Sequence, residues 1–448
     1  MRRFAVPLAL AALCALAPAG VAHAQSGARA AEWLYVWATA VDTAPPRVSR
    51  ATGATAGTTA ATTAATTASA PARRRARGVV LLTVDLRPAS PTRGQVTDAI
   101  LADSGGRVAH HTEHALAVDG LLFANDFGTG RTHRFDLRTP GMPRLLGHFT
   151  TAGPLAAPHS FVRLAGGSVL ATYQTQTSGS PPGGLAELRR DGTALRWTGA
   201  TARGVDSASL FPYSLEVVPA LDRVVTTSTS MTSDVGVHVQ VWRLSDLALL
   251  HTLAIPAAPA HEGHAGHVAK EGAAGGPAHD SVHHRFPGEP RLLDDGRTVM
   301  LGTFTCGVYR LTGLDGARPR LDFAYAFPGG DCAVPAHVGR WWVQTVPALR
   351  ALVTLDVADP AHPREVARLA FGDDVAPHWL AADAAGERLV MNTGNPEQPR
   401  LYLATLDRRT GALAADGAVP TIDLSRVMVG GLGVVRAVPH GAVFGPGR

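Results

Sequence analysis

Short apolar runs alternate with turns of small and polar residues along most of the chain. Glu32 to Ala38, rich in aromatic and aliphatic side chains, reads as a strand, and Gly78 to Leu86 as another. Ser168 to Tyr173, Arg223 to Thr227, Thr298 to Gly302, Trp341 to Val346 and Arg388 to Asn392 have the same short, mostly β-branched or aliphatic character. No stretch carries a sustained helical period that competes with them. Before these strands stand turns at Asp119-Gly120, Gly166-Gly167, Asp222-Arg223, Asp295-Gly296, Gly339-Arg340 and Ala385-Gly386. Successive turns lie roughly 45 to 55 residues apart, except between 222 and 296, where an insertion intervenes. That period is the length of a four-stranded propeller blade. Six turns and a first unit split between Trp33 to Val36 and Val79 to Leu86 predict an all-β fold, a β-propeller for which seven blades is the best count, with six or eight left open. Such a ring leaves only short sheet edges and a central channel on which loops converge.

Composition refines the boundaries. Met1-Arg2-Arg3, the apolar run Phe4 to Leu16 and Ala22-His23-Ala24 have the three parts of a secretory signal peptide. The expectation is a leader over 1–24, cleaved after Ala24, and a single propeller domain over 25–448 in the periplasm or outside the cell. No later stretch is long and apolar enough to predict a membrane span. Residues 51–77, an Ala/Thr-rich tract that runs into Arg73-Arg74-Arg75 and Arg77, have almost no large apolar side chain and predict a disordered surface loop. The net charge of +5 comes almost wholly from arginine, since Lys270 is the one lysine. The basic cluster lacks interleaved aromatics, so no nucleic-acid partner is expected. Outside the leader, Cys306 and Cys332 remain, and an oxidising compartment leaves a disulfide, a thiolate ligand or a buried small hydrophobe all open.

The densest chemistry is His110-His111-Thr112-Glu113-His114, directly before a turn and the apolar strand Leu121 to Asn125. Neighbouring side chains on a regular strand face opposite ways, so His110 and His111 can share one ion only if the backbone there is a loop or bulge. His159 follows Pro158 at a strand start, His378 follows Pro377, and His440 follows Pro439. Histidines at corresponding strand starts of different blades would point into the same channel mouth, the arrangement that a metal requires. His238, mid-strand, reads instead as an ordinary buried histidine. The insertion over 256–287 carries His261, His264, His267, His279, His283 and His284 in a Gly/Ala background that offers no rigid support for a metal. No nucleophile elbow, phosphate-binding loop or His-Glu-x-x-His motif is present.

The order of His110-His111, Ala157-Pro158-His159-Ser160, Pro181-Pro182-Gly183-Gly184-Leu185 and Pro212-Tyr213-Ser214-Leu215-Glu216 resembles the selenium-binding protein and methanethiol oxidase family. Val237 to Trp242 and Leu355 to Pro360 resemble later blades of the same family. The resemblance implies a seven-bladed propeller that holds copper through His110, His111, His159 and His440 and oxidises a small thiol with dioxygen; His378, which has no counterpart in the family, is added as an alternate ligand on its own Pro-His arrangement. Glu113 and His114 would be the catalytic groups that move protons. The family's cysteine cluster after the paired histidines is missing here, so imidazoles must supply the metal chemistry. Two other readings stay open: a non-catalytic binding or scaffold propeller with at most a structural metal, and a periplasmic metal-handling protein supported by the His-rich insertion.

Overall fold

The structure, a computed structural model, describes residues 31–43, 74–233, 235–259 and 281–446. They form seven antiparallel blade sheets, as the turn spacing predicts, and one two-stranded ladder outside the blades. Blade 2 comprises Ala109–Thr112, Leu121–Asp126, Arg131–Asp136 and Arg144–Phe149; blade 3 is built on Leu155–Arg163, blade 4 on Pro212–Val218, blade 5 on Pro287–Leu292, blade 6 on Ala336–Val338 and blade 7 on Leu380–Ala382. These first strands are the innermost, and neighbouring ones touch from blade 2 through to blade 5 and from blade 6 to blade 7. The predicted strands are the second strands of their blades: Val169–Gln176, Arg223–Ser228, Val299–Thr303, Trp341–Val346 and Arg388–Asn392.

Blade 1 closes the ring. Its outer strands are Trp33–Val41, Ala76–Asp85 and Val96–Asp103, from the start of the chain, and its innermost strand is Gly433–Gly445, from the end. Pairing the two ends in one sheet removes the free edges that an open ring would expose. Blades pack through their faces: Leu34, Val36 and Leu82 of blade 1 share a core with Trp379, Val390 and Leu403 of blade 7. On the other face of blade 1, Trp37 and Leu81 pack with Leu122 and Phe135 of blade 2.

Both expected loops are narrower than the sequence suggests. Ala76 already pairs with Val41 at the start of its strand, and Arg74 and Arg77 are tied to Glu397 and Asp42 by ion pairs of 2.7 and 2.9 Å. The rest of the 51–77 expectation, and the 1–24 leader, lie outside the described residues. In the second insertion Ala258–Pro259 pairs with Ser281–Val282, and His284 is buried with its Nδ1 2.9 Å from the Thr305 carbonyl. His284 is therefore part of blade 5's support, while His261, His264, His267 and His279 lie outside the described residues.

Cys306 and Cys332 form a disulfide with Cα atoms 5.0 Å apart, which joins a turn of blade 5 to the segment that enters blade 6. Of the three possibilities left open for these residues, the structure takes the disulfide. The bond spans 26 residues of sequence. Replacing both cysteines with serine should lower stability by about 3 kcal/mol through the restored freedom of the unfolded chain, measured as a lower urea midpoint under non-reducing conditions; an unchanged midpoint would contradict that staple.

Candidate metal centre

The histidines are aimed by a backbone irregularity that recurs from blade to blade. In blade 2, Ala109 pairs with Asp126 and Thr112 with Ala124, so His110 and His111 together stand opposite the single residue Asn125. This bulge turns two adjacent side chains toward the channel, as the sequence required. The Asn125 side chain holds it, with Oδ1 accepting the His111 backbone N–H at 2.6 Å and Nδ2 donating to the Pro158 carbonyl of blade 3 at 2.8 Å. Blade 3 repeats the device: His159 and Ser160 stand opposite Thr172, whose hydroxyl accepts the Ser160 N–H at 3.0 Å and donates to the Tyr213 carbonyl of blade 4 at 2.8 Å. In blade 4, Tyr213 and Ser214 face Thr227, which donates to the Gly288 carbonyl of blade 5 at 2.7 Å. In blade 1, His440 is the extra residue between Pro439, opposite Ala38, and Gly441, opposite Trp37. Proline fits before His159, Tyr213 and His440 because an edge strand at a bulge needs no ladder N–H there, while in blade 2 Ala109 takes that place.

Four imidazoles meet at this level. The ring centroids of His110 lie 4.3 Å from His111, 4.8 Å from His159 and 4.2 Å from His440. His111 and His159 are 4.3 Å apart. One potential ligand atom from each of His110, His111 and His159 lies within 4.8 Å of the others. Gly441 permits the approach, since a Cβ there would stand 2.8 Å from the Thr112 side chain. His111 and His159 are almost wholly inaccessible, at 1% and 0% exposure.

The donor set fits a metal. His159 donates from Nδ1 to the Tyr213 carbonyl at 2.7 Å, which leaves Nε2 as the lone-pair nitrogen, and that atom is buried without a partner. His110 Nδ1 and His440 Nδ1 are likewise buried and unpartnered. Unmatched buried polar atoms are costly, and imidazole nitrogens converging from separate strands suit copper, zinc or nickel. Burial, reinforced by the neighbouring imidazoles, pushes His110, His111 and His440 well below the usual histidine range, and burial holds His159 at about 4. The rings are thus neutral at ordinary pH, the form in which they bind a metal.

The other expected site residues are placed around this centre. His378 sits beside His440, with their Nε2 atoms 3.1 Å apart, and is outside the group of three. His114 stacks on Trp379 at 4.8 Å and contacts Glu289 with its Nε2 at 3.0 Å. Glu113 is not brought to the cluster: its carboxylate accepts the Phe123 N–H at 3.0 Å and pairs with Arg163 at 3.1 Å, because the strand ends at Thr112 and the chain turns away. Burial lifts the Glu113 carboxyl to about 7 against the pull of Arg163. His238 belongs to blade 4 but is not the mid-strand buried histidine expected: it is half-buried, opens the strand His238–Arg243 and leaves Nδ1 without a partner.

Sequence reading missed two members. Tyr213 of blade 4 packs on His159 at 4.0 Å between ring centroids and brings its hydroxyl to 3.4 Å from His111 Nε2. Its signal was Pro212, the same proline that precedes His159, His378 and His440. Glu289 of blade 5 is buried, and Oε2 takes hydrogen bonds from Ser214 and Arg291, with Arg291 at 3.2 Å. Burial opposes its charge, but His114, Arg291 and Ser214 outweigh that and hold the carboxyl at about 2.

No family model matches the chain. By sequence it is 28% identical to a methanethiol oxidase from Ruegeria pomeroyi over 162 residues, a match that spans 33% of this chain and 37% of that relative. By fold it is similar to a hypothetical selenium-binding protein from Sulfolobus tokodaii, with a TM-score of 0.68, 12% identity and 94% of each chain covered. The chain is distantly related to the selenium-binding protein and methanethiol oxidase family. A periplasmic gluconolactonase from Pseudomonas aeruginosa shares the propeller more loosely, with a TM-score of 0.52, 16% identity, and 90% of this chain and 99% of that one covered.

The depressed histidines fix the sign of the protein's acid response. His159 and the buried His133 of blade 2 are each held at about 4 by burial, against about 6.5 in an unfolded chain. Between those values the unfolded chain binds more protons, so stability is complete above about pH 6.5 and declines as pH falls toward 4. Glu113 and Glu216, raised by burial, act oppositely but are outweighed by the larger group of histidines. The urea midpoint of metal-free protein should fall from pH 7 to pH 5, and less steeply in His133→Leu; a flat profile would contradict the buried neutral imidazoles.

Proposed function

We propose that this chain is an exported oxidase that converts a small thiol, with dioxygen and water, to an aldehyde, hydrogen sulfide and hydrogen peroxide at a histidine-held copper. The observation that carries the reading is the buried convergence of His110, His111 and His159, whose ligand atoms lie within 4.8 Å. The distant methanethiol oxidase similarity supplies the substrate class. The Cys306–Cys332 bond supports export, since such bonds persist mainly in oxidising compartments.

His110, His111 and His159 would hold the ion, and His440 stands beside His110 as a fourth imidazole. Copper bound there would act as a Lewis acid toward sulfur and as the electron carrier between thiol and dioxygen. Phe127, half-buried 5.5 Å from His110 and 6.2 Å from His159 between ring centroids, narrows the mouth with apolar surface suited to an uncharged alkyl group. Tyr213 places its hydroxyl 3.4 Å from His111 Nε2, within reach of a proton at that edge of the centre. Half-buried His114 and buried Glu289 stand 3.0 Å apart behind it.

Protein purified without a histidine tag should contain about one copper per chain by elemental analysis and consume oxygen with methanethiol. The His111→Ala, His159→Ala double variant should lose both the copper and the oxygen uptake. Copper retained in that variant, or full copper without turnover on any small thiol, would favour the non-catalytic propeller instead.

A further inference from the structure

Glu289 is hydrogen-bonded to none of the three grouped ligands, yet among the described residues it is the buried carboxylate that faces one of them. It lies on blade 5, is 2% exposed, and commits one oxygen to fixed partners: Ser214 and Arg291 both donate to Oε2, and His114 Nε2 lies 3.0 Å from it. The other oxygen, Oε1, is buried without a hydrogen bond and faces His111 Nδ1 at 3.5 Å. Ser160 Oγ lies 3.2 Å from the same nitrogen, but a hydroxyl can donate or accept, so it does not dictate where the His111 proton sits. A carboxylate oxygen can only accept. We infer that Glu289 is a positioning residue that keeps the His111 proton on Nδ1 and so presents Nε2, the edge beside Tyr213, as the metal-binding nitrogen.

This assignment extends the copper reading, and its logic is that of a carboxylate that orients a liganding imidazole from behind. The donors at Oε2 give it directionality. Because the Arg291 guanidinium can only donate at that position, the neutral amide of Glu289→Gln must place its oxygen there and turn its NH2 toward His111. A donor would then face Nδ1, which must become the acceptor, and the His111 proton moves to Nε2. The substitution changes no shape and adds no bulk, but reverses the hydrogen-bond polarity at one nitrogen.

The test is long-range proton–nitrogen NMR on metal-free protein labelled with 15N-histidine, with the His111 signals assigned by their loss in His111→Asn. Wild type should show a protonated Nδ1 and a lone-pair Nε2; Glu289→Gln should show the reverse, and Ser160→Ala should keep the wild-type form. Titration with copper against a chromophoric chelator should then show affinity about 10- to 100-fold weaker in Glu289→Gln. A proton on Nε2 in wild type overturns the assignment even if no variant folds, and so does a folded Glu289→Gln that keeps the wild-type tautomer. A tautomer switch in a protein that binds no copper would overturn the copper reading while upholding the role of Glu289.

Discussion

The site depends on one repeated constraint, the bulge in the innermost strand. Regular strands would send His110 and His111 to opposite faces, and only the extra residue opposite Asn125 lets both rings enter the channel. The side chain that caps each bulge also binds the next blade: Asn125 reaches Pro158, Thr172 reaches Tyr213, and Thr227 reaches Gly288. Asn392 of blade 7 does the same for the His440 carbonyl. Side-chain aim and blade spacing are therefore set by the same hydrogen bonds, and a shift in one blade is passed to the next. This is the kind of support that holds ligands in place from outside the ligand set.

Electrostatics then define what the centre can be. Rings packed at 4.2 to 4.8 Å cannot all carry charge in a buried setting, so the cluster is neutral and rich in lone pairs. The carboxylate that faces His111, Glu289, is occupied on one side by Ser214 and Arg291. The other nearby acid, Glu113, is committed to Arg163 and the Phe123 N–H. A positive ion at the imidazoles would supply the charge that this pocket otherwise lacks. The ring fold contributes rigidity, because the ends of the chain share blade 1 and so lock His440 opposite His110.

Much of this was legible in the sequence. The blade turns and second strands follow from local hydrophobicity, because those strands are buried on both faces and read as continuous apolar runs. The histidines at 110, 111, 159 and 440 were legible because imidazole is uncommon in such runs and two of them, His159 and His440, share a preceding proline with His378. Tyr213 and Glu289 were not legible as site members, since their roles arise only when blades 4 and 5 are carried around the ring to face blade 2. The expected role of Glu113 did not materialise because adjacency in sequence ceased to be adjacency in space once the strand ended at Thr112. The edges of both insertions were misplaced because ion pairs at Arg74 and Arg77 and a two-residue ladder at Ala258–Pro259 hold segments whose composition alone suggests none.

The central claim is that copper is held by imidazoles from separate blades, with no sulfur ligand. X-ray absorption at the copper edge of the copper-loaded protein addresses it directly, because imidazole gives an outer-shell scattering pattern that carboxylate and water do not. The account predicts three or four imidazole nitrogens and no sulfur around the metal. Copper bound through sulfur, or through oxygen ligands without imidazole scattering, would contradict it.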